Sequence, residues 1–122
     1  KTGWLEAAKG PGTGESITLT LDREITVDEI KIAPGYFDPK WWKSNNRIKD
    51  LSVIYDNKSL VLHFKDTMQM QKVKLNKDIH FSEITFEITG VFPSGKDNDT
   101  GISEIEFYYK GEKIEIDVSG VK

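Results

Sequence analysis

The chain has 122 residues, with 20 acidic and 17 basic side chains giving a net charge of −3, and no cysteine. That length suits one domain with a core of its own, and the missing cysteines exclude both a disulfide framework and a thiolate metal site. Near-balanced charge, with lysines scattered between acids, argues against a nucleic-acid footprint, which needs a clustered basic face.

In chain order, residues 1–13 are irregular around Trp4 and Glu6, and a glycine-rich loop follows at residues 10–14. Residues 16–22 alternate, with Ile17, Leu19 and Leu21 on one face and threonines on the other, as in a half-buried strand. Val27, Ile30 and Ile32 mark a second strand, and their uneven spacing puts an irregularity near Asp28 and Glu29. Leu51, Val53 and Tyr55 alternate next. Asp56-Asn57-Lys58 then turns the chain into Leu60, Leu62 and Phe64, which predicts a hairpin. A short strand at Val73 and Leu75 is expected to end at Asn76-Lys77-Asp78. Ile84, Phe86 and Ile88 alternate in another, as do Ile105, Phe107 and Tyr109. Lys110-Gly111 turns into Ile114, Ile116 and Val118. About eight antiparallel strands with frequent turns predict an all-β, two-layered domain with no helix beyond a turn or two.

The residues between the second and third strands do not alternate. Residues 34–47 carry Tyr36, Phe37, Trp41, Trp42 and Arg47, and Pro34, Gly35 and Pro39 forbid a helix there. Long loops inside compact domains are usually functional. A flat indole stacks on the apolar face of a sugar ring, so Trp41 and Trp42 are candidate ligand platforms. Adjacent residues of an extended segment point opposite ways, so one indole is expected to pack and the other to stand exposed. Arg47 could clamp sugar hydroxyls or a carboxylate, but a structural bridge to Asp97 or Asp99 is the favoured reading. That bridge would make the aromatic loop and the loop at 91–101 neighbours. Lys40 and Lys43 flank the indoles as in a membrane-docking spike, so a phospholipid surface is the rival ligand.

The Asp97–Thr100 run lacks the third acid and distal glutamate of an EF-hand. His63 and His80 have no carboxylate at ligand spacing and read as structural. No nucleophile elbow, phosphate loop or zinc signature is present, and no pair of carboxylates stands out, so the expectation is a binding module rather than an enzyme.

Three blocks together resemble one family. They are Trp4-x-Glu6 with Gly10-x-Gly12-x-Gly14-Glu15-x-Ile17; Gly35-Tyr36 with Asn46-Arg47-x-Lys49-x-Leu51; and Val91-Phe92-x-x-Gly95-Lys96-x-x-Asp99-Thr100-x-Ile102-Ser103-Glu104-Ile105. In this order they resemble the discoidin-like (F5/8 type C) domain found with bacterial NAD glycohydrolases and related glycan-binding modules. The resemblance implies a galactose-binding-like jelly-roll sandwich that recognises carbohydrate without catalytic machinery, in a secreted or cell-surface, extracytoplasmic setting. The strand and Asp-Gly loop that usually precede Thr2-Gly3-Trp4 are absent. The expectation is therefore a single domain over residues 1–122 lacking its N-terminal strand, with an attached or upstream domain. Family members usually carry one aromatic where this chain has the Trp41-Trp42 pair. The ligand is expected to rest on Trp41 or Trp42, with polar contacts from Tyr36, Asn46, Arg47, Lys96 and Asp99. Calcium-binding members of the wider fold pair a glutamate on the last strand with an early loop. Glu104 and Thr2 match these, and a calcium site there ranks below a metal-free domain. A protein-docking domain that delivers an attached partner is the remaining alternative.

Overall fold

A computed structural model describes residues 14–35, 42, 45–93, 102 and 104–122. Seven strands are present among them: β1 (Ser16–Ala33), β2 (Arg47–Tyr55), β3 (Lys58–His63), β4 (Gln71–Phe92), β5 (Glu104–Tyr109), β6 (Glu112–Ile114) and β7 (Val118–Val121). All pairings are antiparallel, in the order β3-β2-β4-β1-β5-β6, with β7 on β1.

Two strands belong to both layers of the sandwich. The first half of β1 pairs with the last part of β4 and with β7, and that part of β4 pairs onward with β2. The second half of β1 pairs with the first part of β4 and with β5. The result is one layer β3-β2-β4-β1-β7 and another β4-β1-β5-β6. The strands switch layers at register breaks, between Thr20 and Ile25 on β1 and across Val27/Glu29, where β4 runs from Ile79 to Lys74. Bulges of this kind bend a strand and sharpen its twist.

These breaks explain the strand count. The alternating run at residues 16–22 and the strand at Val27 are one strand, β1, with a bulge between them, and Asn76-Lys77-Asp78, expected as a strand end, is a bulge inside β4. The segment expected as one strand around Ile114, Ile116 and Val118 divides instead into β6 and β7. The irregularity at Asp28 and Glu29 moves the inward face from Leu19, Leu21, Ile25 and Val27 to Ile30 and Ile32. Both predicted hairpins form. Tyr55 pairs with Lys58 across Asp56 and Asn57 (φ 49° and 60°), and Tyr109 pairs with Glu112 across Lys110 and Gly111 (φ 51° and 82°). Two successive positive φ angles make the type I′ turn that matches strand twist.

The core fills the space between the layers. Phe86 and Phe107, from opposite layers, stack at 6.5 Å, and Phe81 meets Phe107 edge-on at 5.4 Å. Leu19, Ile30, Ile48, Leu51 and Ile84 are fully buried around them.

Candidate functional site

The strand register places three crossings at one end of the sandwich. Residues 34–46 join β1 to β2, 64–70 join β3 to β4, and 93–103 join β4 to β5. The first and third share both feet, because Ala33 pairs with Glu104 and Arg47 pairs with Phe92. The feet of the aromatic loop and of the 91–101 loop are therefore neighbours, through the pairing of their strands. The middle crossing joins through Phe64, whose amide donates to the Lys49 carbonyl at 2.9 Å. Gln71 closes it as a clamp: its Oε1 accepts from the Lys65 amide at 2.9 Å, and its Nε2 donates to the Lys65 carbonyl at 2.7 Å.

Polar groups are buried under these crossings. Asn45, Asn46 and Arg47 are the buried polar residues among those described. Arg47 grips Asp66 with two parallel hydrogen bonds, Nε to Oδ1 at 3.0 Å and Nη2 to Oδ2 at 2.9 Å, and its Nη1 donates to the Asn45 carbonyl at 3.2 Å. The Arg47 side chain is 10% exposed and that of Asp66 35%. A planar guanidinium matches a carboxylate in this fork geometry, which a lysine could not reproduce. The pair stitches β2 to the middle crossing.

Trp42 packs down, with 6% exposure. Its ring lies across Gly35, where a Cβ would meet Cζ3 at 2.7 Å and the Arg47 side chain at 3.3 Å. Gly35 has φ +153°, and its amide donates to the Ala33 carbonyl. The glycine is thus required both by backbone conformation and by the indole lying against it. Ile48 returns its amide to the Pro34 carbonyl at 3.1 Å, closing the base of the loop.

Of the candidate ligand residues, Trp42, Asn46 and Arg47 are buried, and Trp42 and Arg47 both lie against Gly35. Tyr36, Trp41, Lys96, Asp97 and Asp99 lie outside the described residues, as do Lys40, Lys43 and Thr2. Glu104 is half-buried at the foot of the third crossing. Among the described residues no three potential metal ligands of His, Asp or Glu type gather. Asp66 is the site residue that sequence reasoning missed. Its only local signal is the polar Lys65-Asp66-Thr67 run after an alternating strand. His63 and His80 serve locally, His63 bonded to Asp50 at 2.7 Å and His80 to Thr26 at 2.9 Å.

An antiparallel two-layered β domain with its crossings gathered at one end, over buried polar ties, is the architecture of an F5/8 type C β-sandwich. The profile of the NAD glycohydrolase translocation F5/8 type C domain matches residues 1–108, and the chain belongs to this family. The NMR structure of the Streptococcus pyogenes NAD+-glycohydrolase translocation domain is similar in fold. It has a TM-score of 0.62 and 24% sequence identity, over 88% of this chain and 97% of that one. No curated protein matches the sequence.

Proposed function

We propose that this chain is a non-catalytic recognition module that delivers an attached partner, and that it does so by engaging surface carbohydrate through the capped end of the sandwich. Membership of a family of translocation domains favours delivery over glycan binding for its own sake. The burial of Trp42 carries the structural side of the reading. With that ring packed on Gly35, the ligand-facing role in this proposal falls to its neighbour Trp41. Tyr36, Lys96 and Asp99 are then the polar contacts, while Asn46 and Arg47 hold the loop from below.

A shallow site of this kind binds weakly, so firm attachment to a cell comes from several contacts at once or from the attached partner. The setting is extracytoplasmic, secreted or at a cell surface. Among the described residues no helix is long and apolar enough to cross a membrane.

The test is to join the chain to a reporter enzyme and measure its association with and entry into cells. Trp41→Ala and Trp42→Ala are compared with Lys40→Ala and Lys43→Ala. Loss with Trp41→Ala, and competition by a free sugar, are the expected results. If instead salt and the lysine changes govern association, and anionic liposomes compete, the target is a membrane surface. Unchanged association in every variant would refute recognition through this loop.

A further inference from the structure

The open flank between β3 and the first part of β4 forms a groove of about 660 Å³. β3 lies at the end of the strand order, so one of its backbone edges has no sheet partner among the described residues. Among the described residues the first part of β4 pairs with β1 alone, since β2 joins β4 only from Thr85. Among the described residues the two layers therefore end side by side without closing. Leu60, Val73 and Leu75 form a half-buried apolar floor, and Val61 stands 51% exposed at the lip. The charged side chains lining the groove are Lys58, Lys74 and Lys77, with no carboxylate among them.

We infer that this groove is a docking slot for an acidic, extended peptide segment of a partner protein, added as a strand along the free edge of β3. It lies apart from the loop-capped end and does not depend on how that end is used. A free edge gives backbone hydrogen bonds to an incoming strand, and alternate side chains of the strand are read by whatever faces them. The floor of Leu60, Val73 and Leu75 takes apolar side chains, and the three lysines take carboxylates on either side. The same lysines exclude a second copy in the same orientation, because its edge would set lysine against lysine. Lysines on bare edges serve this purpose in many sheets. Here they surround an apolar floor, and an acidic strand satisfies both features at once.

The probe is a short fluorescent peptide alternating glutamate and valine, read by anisotropy and by amide shifts in the full chain, with a lysine–valine peptide as control. The expected result is saturable binding that weakens with salt, with shifts centred on Leu60, Val61, Val73 and Leu75. Lys74→Glu combined with Lys77→Glu should lower affinity by about tenfold or more, because each reversed charge repels the probe. Both positions are exposed, so the unfolding midpoint should stay in place, and Val61→Glu gives a second disruption that spares the lysines. Equal binding of the lysine–valine peptide, shifts elsewhere, or unaltered affinity in both variants would overturn the assignment. So would concentration-dependent self-association that fills the groove with a second copy.

Discussion

The capped end and the β3–β4 flank invert the usual arrangement of a protein surface in opposite ways. At the capped end a charge is buried: Arg47 lies under the crossings with Asp66, Asn45 and Trp42 around it. At the flank, apolar side chains remain accessible and the charges stand on the rim. A buried, bidentate ion pair fixes geometry more than it adds net stability, because desolvation offsets much of its attraction. An open apolar slot does the reverse, leaving burial to be completed by something else. One region is finished in the isolated domain, and the other is completed on binding.

That contrast is broken most forcefully at Asp66. Asp66→Ala strands the buried Arg47 guanidinium and is expected to cost about 2–4 kcal/mol, less than a fully buried pair would, since Asp66 is partly hydrated. Arg47→Met should cost less, because the carboxylate left behind can turn to water. Urea unfolding of the two variants checks the order, and a larger loss for Arg47→Met would mean that packing outweighs the charge. Gly35→Ala attacks the same region through sterics. A methyl group 2.7 Å from the Trp42 ring must displace the indole, at a cost on the order of 2–3 kcal/mol. Near-ultraviolet dichroism from the displaced tryptophan should change with it.

The third prediction separates holding the loop from using it. Trp41→Ala should weaken glycan binding by at least about tenfold while leaving the unfolding midpoint unchanged, as expected for a ligand-facing aromatic. Trp42→Ala should instead lower stability, with any loss of binding following from loss of order. If both changes act on stability alone, the loop has only a structural role.

How much of this could be read from the sequence follows from the range of the forces involved. Alternation and turn chemistry are local, so the sandwich, both hairpins and the irregularity at Asp28 and Glu29 were legible. Asn76-Lys77-Asp78 does interrupt the alternation, as expected, but inside a strand rather than at its end. A bulge and a strand end break alternation alike, and only the partner strand distinguishes them. The structural role of Arg47 was legible from its chemistry, whereas Asp66 was not, because nothing near it in sequence marks a carboxylate that meets residue 47. That Trp42 packs inward depended on its ring contact with Gly35, a tertiary fact. The apolar groove at β3 and β4 was invisible for a related reason. Val73 and Leu75 alternate as any core-facing pair would, and only the absence of a neighbouring strand among the described residues leaves them half-covered.

The smallest expected effect concerns the opposite flank, at β5 and β6, where the charged groups are tied to one another rather than left on a rim. Burial pushes the Glu106 carboxyl up, but the Tyr108 hydroxyl, Glu104 and Lys113 together bring it below its ordinary value. The Tyr108 hydroxyl donates to Glu106 at 2.8 Å, and Lys113 lies 3.4 Å away. The same bond, together with burial and neighbouring carboxylates, raises the Tyr108 phenol. For Glu106, a carboxyl depressed in the folded state contributes stability that is present above its unfolded value and is lost as pH falls through the folded one. For Tyr108, a phenol raised in the folded state contributes below its unfolded value and loses that contribution as pH rises through the folded one. The bond is therefore intact across the neutral range between the two. Tyr108→Phe removes the donor, so the Glu106 carboxyl should titrate at higher pH than in the parent, by NMR of its side-chain carbon. The parent should be more stable at neutral pH by at most about 1 kcal/mol, the worth of one partly exposed hydrogen bond to a charged group. That advantage should vanish on acidification as Glu106 takes up its proton. A stability difference that persists unchanged into acid would show that the Tyr108 hydroxyl acts through packing on this flank, and that its bond to Glu106 contributes nothing.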